Sequence, residues 1–252
     1  TAGYAAAIRA KELGLNVALI EKDKLGGVCL HSGCMPTKSL LHSAEVYLTV
    51  QNAKNYGIFA NGYSYNWDNI IKSKKAAVER VYLGLKELIK ARQIEVIQGT
   101  ASLTNSNTVA VEQNGTVKSL NFQNLIIATG SRPKALPKLP FNGQTVVSST
   151  ELLEVLKQPQ QLLIIGGGYI GVEFASFFNS FGTKVTIIEA TEQILPFEDR
   201  EITQMLASFL RKRGVEIYTK AFFLEAKAVD GKLKAKFSCE QAENEVETEL
   251  IL

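Results

Sequence analysis

Two cysteines separated by four residues are the most reactive feature of the sequence. Cys29 and Cys34 lie in the segment GGVCLHSGCMPTK, in a chain that has three cysteines among 252 residues. A pair at this spacing can belong to a metal site, a structural disulfide or a redox centre. Three cysteines do not make a secreted disulfide framework, and in a reducing compartment such a pair is more often catalytic or metal-binding.

The sequence around the pair disfavours a zinc site, which needs about four ligands. His31 could join Cys29 and Cys34, but Cys239 is remote and His42 falls on the next predicted helix. No second ligand pair with metal-like spacing is present in the sequence.

The residues after Cys34 predict a helix that favours redox chemistry. Pro36 suits a first helical turn because it needs no N–H there, and apolar residues follow at helical spacing through Tyr47. The positive end of a helix dipole stabilises a thiolate. Lys38 lies one turn further on, where its ammonium group either adds to this effect or remains a solvated surface charge.

A glycine motif in the second half of the chain predicts a dinucleotide site. Gly166, Gly168 and Gly171 form G-x-G-x-x-G directly after the strand pattern Leu162–Ile165, and a helix and a second strand ending at Glu189 follow. In this motif the glycines allow close approach of a pyrophosphate to a helix N-terminus, and the acid accepts hydrogen bonds from ribose hydroxyls.

The start of the chain repeats this pattern at an offset of 168 residues, with Gly171 matching Gly3 and Glu189 matching Glu21. The first copy lacks its first strand and two glycines, and the last residues, ETELIL, stop within a predicted strand, so both ends look cut. Two copies predict two dinucleotide sites, as in an enzyme that passes electrons between two cofactors.

The second site is predicted to take NAD rather than NADP. Glu189 would repel a 2′-phosphate, and the next four residues, Ala-Thr-Glu-Gln, supply no arginine to bind one. The alternative is an arginine that reaches the site from elsewhere in the chain.

Composition excludes other classes of protein. Hydrophobic residues make up 46% and charged residues 21% of the chain, as in ordinary globular proteins. A net charge of +3 gives no reason to expect nucleic acid or an anionic membrane as a partner, and no apolar run approaches the ~20 residues of a membrane span. Because the three cysteines do not make a secreted disulfide framework, we expect a cytoplasmic protein.

Between the motifs, periodicity predicts further elements. A helix is expected over Asn66–Arg92, and hairpin turns are expected at Asn114-Gly115 and Asp230-Gly231. Short strands are expected at Glu95–Ile97, Thr108–Val111, Lys118–Phe122 and Leu125–Ala128.

The segment GGVCLHSGCMPTKSLL resembles the active-site segment of the flavoprotein disulfide reductases, the pyridine nucleotide-disulfide oxidoreductase family. IEKDKLGG, IIATGSRP and GGGYIGVE resemble further motifs in the family's order, so the resemblance covers the whole chain. Within the family, the pattern L-x-x-G-C-x-P-[ST]-K-x-L-L is most similar to the dihydrolipoamide dehydrogenases. His31 and Met35 replace the more usual asparagine and aliphatic residue.

The resemblance implies an α/β fold with two Rossmann-like domains of three-layer β-β-α type. Residues 1–140 would be an FAD-binding domain, without its first strand and closing segment, and residues 141–252 an incomplete NAD-binding domain, joined by the proline-rich stretch SRPKALPKLPFNG. The dimerisation domain would be absent. So would the family's histidine–glutamate pair, which neither His31 nor His42 matches, and this chain alone should be inactive or partly active.

The resemblance also implies roles for individual residues. The implied catalytic set is Cys29 as the substrate-side thiol, Cys34 as the flavin-side thiolate, and Lys38 near the flavin, paired with Glu173. The implied FAD contacts are Gly3, Glu21, Lys22, Gly26, Gly27, Val28, Cys29, Lys38, Ala101, Thr129, Gly130 and Ser131. The implied NAD contacts are Gly166, Gly168, Tyr169, Ile170, Gly171, Glu173, Glu189 and Ala221. Tyr169 would cover the flavin until the nicotinamide enters, or would simply be a partly buried aromatic residue.

The implied reaction is oxidation of protein-bound dihydrolipoamide through a Cys29–Cys34 disulfide, with electrons passing to FAD and then to NAD⁺. The implied partners are the lipoyl domain of a 2-oxo-acid dehydrogenase complex and, in a full-length protein, a second copy in a homodimer. The alternatives are another NAD(P)H-dependent disulfide reductase, a mercuric reductase, or an inactive flavoprotein with an assembly role.

Overall fold

Helices and strands alternate along the chain, and a computed structural model describes residues 1–59 and 61–252. The helices are α1 (Ala2–Glu12), α2 (Gly27–Ser32), α3 (Cys34–Asn52), α4 (Trp67–Ala91), α5 (Ser149–Leu152), α6 (Tyr169–Ser180) and α7 (Arg200–Lys212). The strands are β1 (Ala18–Glu21), β2 (Glu95–Gln98), β3 (Thr100–Asn105), β4 (Thr108–Gln113), β5 (Thr116–Asn121), β6 (Gln161–Ile165), β7 (Lys184–Ile188), β8 (Glu216–Tyr218), β9 (Ala221–Val229), β10 (Lys232–Cys239), β11 (Ala242–Thr248) and β12 (Leu250–Ile251). A 3₁₀ helix covers Ala53–Tyr56.

The chain divides into two units. The first contains Thr1–Pro36 and Lys75–Arg132, and the second contains Thr37–Lys74 and Pro133–Leu252. The boundaries fall within α3 and α4, because apolar residues of both helices, such as Leu40, join the core of the second unit. The division into domains after residue 140 remains a prediction, and packing differs from it in the assignment of residues 37–74 and 133–140.

The second unit has the expected three layers. A parallel sheet of order β12-β6-β7-β8 forms the middle layer. Because successive strand residues point to opposite faces, Leu162 and Ile164 of β6 pack with α6 residues such as Phe174, whereas Leu163 packs with Phe237 of the antiparallel β9-β10-β11 sheet. The α/β fold class with a β-β-α arrangement is therefore confirmed.

The first unit combines a short parallel pair with an antiparallel sheet. Strands β1 and β2 pair in parallel, and β3, β4 and β5 form an antiparallel sheet. The core includes Ala7 of α1, Leu30 of α2, and Leu85 and Ile89 of α4. The hydrophobic contact made by Leu30 fixes the short helix that carries Cys29.

Most of the local predictions are confirmed. Helix α4 matches the predicted range to within one residue at each end, and the two predicted hairpin turns have the positive φ angles that such turns require, 51° and 78° at Asn114-Gly115 and 51° and 80° at Asp230-Gly231. None of the described helices is both long and apolar enough to cross a membrane.

The predicted strand at Leu125–Ala128 is wrong. These residues are irregular, and Ile127 is 74% exposed. A strand is stabilised by pairing with a neighbour, and in the described part of the first unit the parallel sheet consists of β1 and β2. Strand β3 was not predicted, because its sequence TASLTN lacks a clear apolar pattern.

Candidate active site

The two cysteines lie on consecutive helices. Cys29 is on α2, and Cys34 is the first residue of α3, as the sequence predicts. Gly33 separates the helices, and a Cβ there would lie 2.9 Å from the Val28 carbonyl oxygen and 3.2 Å from Cys29 Cα. The glycine therefore allows α3 to begin close to α2. Both cysteines are free thiols in this structure, with Cys29 half-buried and Cys34 exposed.

The surroundings of the pair change the pKa of Cys29. The hydrogen bond to Cys34, together with partial burial and the charge of Cys34, raises the pKa of Cys29 above its ordinary value. Cys29 therefore keeps its proton to higher pH than an isolated cysteine does. Cys34 lies at the start of α3, where the helix N-terminus is an environment that suits negative charge.

Replacing Cys34 by alanine is expected to lower the pKa of Cys29, because it removes the largest cause of the upward shift. The onset of Cys29 alkylation in the reduced protein would move to lower pH, measured as alkylation rate against pH with peptide mass analysis. Cys239→Ala is the matched control and should leave the Cys29 profile unchanged. An unchanged profile in Cys34→Ala would contradict the coupling.

His31, between the cysteines, is held by the first unit. Its Nε2 lies 2.7 Å from the carbonyl oxygen of Leu25, and its ring packs edge-on against Tyr82 with centroids 5.1 Å apart. These two contacts give His31 a structural role between the cysteines. Among the residues that the structure describes, no three His, Cys, Asp or Glu side chains are grouped to hold a metal ion.

Several of the residues implied for FAD lie at or near the start of α1. A Cβ on Gly27 would lie 2.7 Å from the Thr1 backbone nitrogen, and one on Gly3 would lie 3.4 Å from the Ala128 Cβ. Gly26 and Gly27 have φ angles of 118° and 68°, which favour glycine. Three segments therefore come close together at a helix N-terminus, an arrangement that suits a bound phosphate.

The other residues implied for FAD lie along the first unit. Glu21 ends β1, and its Oε1 accepts a hydrogen bond of 2.9 Å from the backbone N–H of Asp23. Lys22 and Val28 are exposed, and Ala101 lies on β3 with its side chain exposed. Residues 129–131, which are Thr129, Gly130 and Ser131, form an exposed irregular stretch directly after Ala128.

Helix α3 also reaches into the second unit, where Lys38 forms the expected ion pair with Glu173 of α6. Leu40 and Ala44 pack in the same core as Phe174, which fixes the two helices against each other. The Lys38 side chain is 60% exposed and that of Glu173 is 26% exposed. The pair thus leaves the ammonium group accessible to a ligand.

The glycine motif has the geometry of a phosphate-binding turn. Gly166 has a φ of 112°, and Gly168 is the N-cap of α6. A Cβ on Gly171 would lie less than 3.0 Å from both the Gly166 carbonyl oxygen and Ile164 Cγ2, so α6 packs directly on the end of β6. Gly166 and Gly168 have open space where a Cβ would be, which leaves their backbone accessible. The turn therefore fits a pyrophosphate.

Glu189 directly follows β7, and its side chain binds the glycine turn. The carboxylate is buried, and it accepts hydrogen bonds from the backbone N–H of Gly167 at 2.6 Å and of Thr191 at 2.7 Å. The Gly167 carbonyl accepts from the Leu195 N–H at 2.8 Å. Glu189 therefore fixes the glycine turn. A carboxylate has about four acceptor positions, and these two hydrogen bonds leave some of them free. A contact between Glu189 and a ribose is therefore possible, and it remains a prediction.

This role of Glu189 was not predicted from the sequence, although three consecutive glycines, 166–168, were a possible signal. A Cβ on Gly167 would lie 2.8 Å from Ile194 Cγ2 and 3.2 Å from Glu189 Cβ, so the middle glycine is needed for close packing.

The other residues implied for NAD lie near this turn. The backbone N–H of Ala221 donates to the Glu189 carbonyl at 2.9 Å. Tyr169 and Ile170 are exposed at the start of α6, with Tyr169 at 71%.

Comparisons with known proteins agree with this geometry. A family model described as pyridine nucleotide-disulphide oxidoreductase matches residues 1–252. Dihydrolipoyl dehydrogenase of Bacillus subtilis is 43% identical over 230 residues, covering 88% of this chain and 48% of that protein. The enzyme of the same name from Acholeplasma laidlawii is 42% identical over 256 residues, covering 99% of this chain and 74% of its relative.

A solved structure shows a similar fold over the whole chain. The HOCl-induced flavoprotein disulfide reductase of Escherichia coli has a TM-score of 0.80 and 32% identity, and the match covers 100% of this chain and 53% of that one. The chain spans about half the length of most of the curated relatives that it matches. Since the family model covers every residue, the chain belongs to the pyridine nucleotide-disulphide oxidoreductase family.

Proposed function

We propose that this chain is the FAD- and NAD-binding part of a dihydrolipoamide dehydrogenase. Members of the family use FAD and NAD(P)H. The observation that carries the proposal is the cysteine pair, with Cys34 at the start of α3 and the pKa of Cys29 raised by Cys34. The glycine turn at the start of α6, and the N-terminus of α1 with Gly27 beside it, both suit a phosphate and support binding of two dinucleotides.

In the proposed reaction, Cys29 and Cys34 begin as a disulfide. A thiolate of dihydrolipoamide attacks Cys29 Sγ, which forms a mixed disulfide and breaks the Cys29–Cys34 bond, so that the electron pair stays on Cys34. The second substrate thiol then closes the lipoamide disulfide and releases Cys29, which takes up one proton. The other proton is released, and the protein has gained two electrons.

The residues of the chain favour this product state. Cys29 holds its proton because its pKa is raised, and the N-terminus of α3 stabilises the anion on Cys34. FAD and NAD⁺, bound at the two proposed sites, would supply the acceptors for this electron pair. Glu173 holds the Lys38 ammonium group in place, and Glu189 fixes the turn at which the NAD pyrophosphate would bind.

The partners belong to the same proposal. The substrate dithiol would be carried by the lipoyl domain of a 2-oxo-acid dehydrogenase complex, and the complete protein would act as a cytoplasmic homodimer. We further propose that the catalytic histidine–glutamate pair lies outside these 252 residues, because neither His31 nor His42 matches the family's motif and His31 is bound to the Leu25 carbonyl oxygen.

The test is an assay of the complete protein with dihydrolipoamide and NAD⁺, followed as NADH formation. Turnover would support the proposal. A second candidate is a reductase of another disulfide, since the Escherichia coli disulfide reductase is 32% identical over the whole chain. Reduction of other disulfides by NADH, without any dihydrolipoamide turnover, would establish that candidate and overturn the first.

A further inference from the structure

Two loops at the carboxyl edge of the second parallel sheet are joined by hydrogen bonds. Strands β7 and β8 pair in parallel, with Ile188 opposite Tyr218. Beyond the strands, the Glu189 N–H donates to the Tyr218 carbonyl at 2.8 Å, and the Lys220 N–H donates to the Thr191 carbonyl at 2.8 Å. Lys220 therefore lies beside the residues that follow Glu189, at the edge where such sheets bind ligands.

The side chain of Lys220 is engaged by an acid of that loop. Its Nζ lies 3.1 Å from Glu192 Oε1. The hydrogen bond and charge of Lys220, with a further contribution from the charge of Arg200, lower the pKa of Glu192. Lys220 has a φ of 53°, a conformation uncommon for residues other than glycine. A lysine therefore occupies a backbone conformation that favours glycine.

The preference for NAD over NADP was predicted from Glu189 and from the lack of an arginine after it, and the Lys220–Glu192 pair adds a second factor. The four residues after Glu189 include no arginine, but the structure brings one cation, Lys220 from the loop after β8, to Glu192 of this segment. A free cation at this position would attract the 2′-phosphate that distinguishes NADP. Glu192 would oppose this attraction, because its charge offsets that of Lys220 and itself repels a phosphate.

We propose that Glu192 is a determinant of dinucleotide specificity, which acts by holding Lys220 in an ion pair and keeping it from a 2′-phosphate. This inference rests on the proposed nucleotide site at Gly166–Glu189. Glu189 would select the unphosphorylated ribose by direct contact, and Glu192 would do so through Lys220. The two acids are therefore separable by substitution.

The test measures binding of ADP-ribose and of 2′-phospho-ADP-ribose to the complete protein by isothermal titration calorimetry, which does not depend on turnover. Glu192→Gln should tighten binding of the phosphorylated nucleotide about fivefold, the size expected when one exposed charge is removed and another is freed. Binding of ADP-ribose should change less than about twofold. Glu225→Gln, which breaks a similar exposed pair with Lys227 on β9, is the matched control.

The double variant Glu192→Gln/Lys220→Met separates release of the lysine from simple loss of an acid. It should return 2′-phospho-ADP-ribose binding close to the wild-type level. The inference is overturned if the gain persists in the double variant, or if Glu192→Gln behaves like Glu225→Gln while the wild type binds ADP-ribose. Absence of ADP-ribose binding in the wild type would instead overturn the proposed nucleotide site, and the inference with it.

Discussion

Replacing Cys34 by serine is expected to reduce dihydrolipoamide turnover by at least about 10³-fold, because covalent exchange cannot proceed without the sulfur that receives the electron pair. Cys29→Ser should have an effect of the same size, since it removes the atom that the substrate attacks. The two losses should not add in the double variant, because both cysteines belong to one exchange step. NADH formation by the complete protein is the measurement.

Two controls distinguish loss of chemistry from loss of structure. Cys239→Ser retains a hydroxyl that can replace the Sγ hydrogen bond to the Thr219 carbonyl, and should keep normal turnover. Reduction of bound FAD by NADH does not require the cysteine pair, so the absorbance change of the flavin should persist in Cys34→Ser. Substantial dihydrolipoamide turnover in either cysteine variant would refute the proposed exchange.

The features predicted well from the sequence are those that short segments determine. The glycine–helix–strand pattern at Gly166–Glu189 and the turns at Asn114-Gly115 and Asp230-Gly231 depend on φ angles and periodicity that a few neighbouring residues set. The start of α3 at Cys34 followed from Pro36 in the same way.

The features that escaped prediction depend on residues far apart in the chain. Glu189 binds the N–H of Gly167, and Lys220 reaches Glu192, only because β6, β7 and β8 are neighbours in one sheet. Nothing in the local sequence indicates these pairs. The apolar run Leu125–Ala128 failed for the same reason, since an apolar pattern shows that a segment can be a strand but not that a neighbour is present to pair with it.

Gly171→Ala is expected to disrupt both the stability and the ligand binding of the second unit. The added Cβ would lie less than 3.0 Å from the Gly166 carbonyl oxygen and 2.9 Å from Ile164 Cγ2, and a backbone oxygen cannot move aside as a flexible side chain can. Overpacking of this kind costs about 1–3 kcal/mol, so the urea midpoint should fall. Because α6 must shift from β6, we expect ADP-ribose binding to be lost as well.

Gly168→Ala separates these two effects within the same motif. Gly168 has a φ of −71°, which alanine adopts readily, and nothing lies within 4 Å of the added Cβ, so the urea midpoint should stay near the wild-type value. The open space at Gly168 is where a pyrophosphate would approach the start of α6, and filling it should weaken ADP-ribose binding at least about tenfold. A stable Gly168→Ala variant that binds ADP-ribose normally would show that the phosphates do not lie at this turn. A Gly171→Ala variant with an unchanged midpoint would show that α6 and β6 can separate at no cost, and Gly171 would then have no structural role in the site.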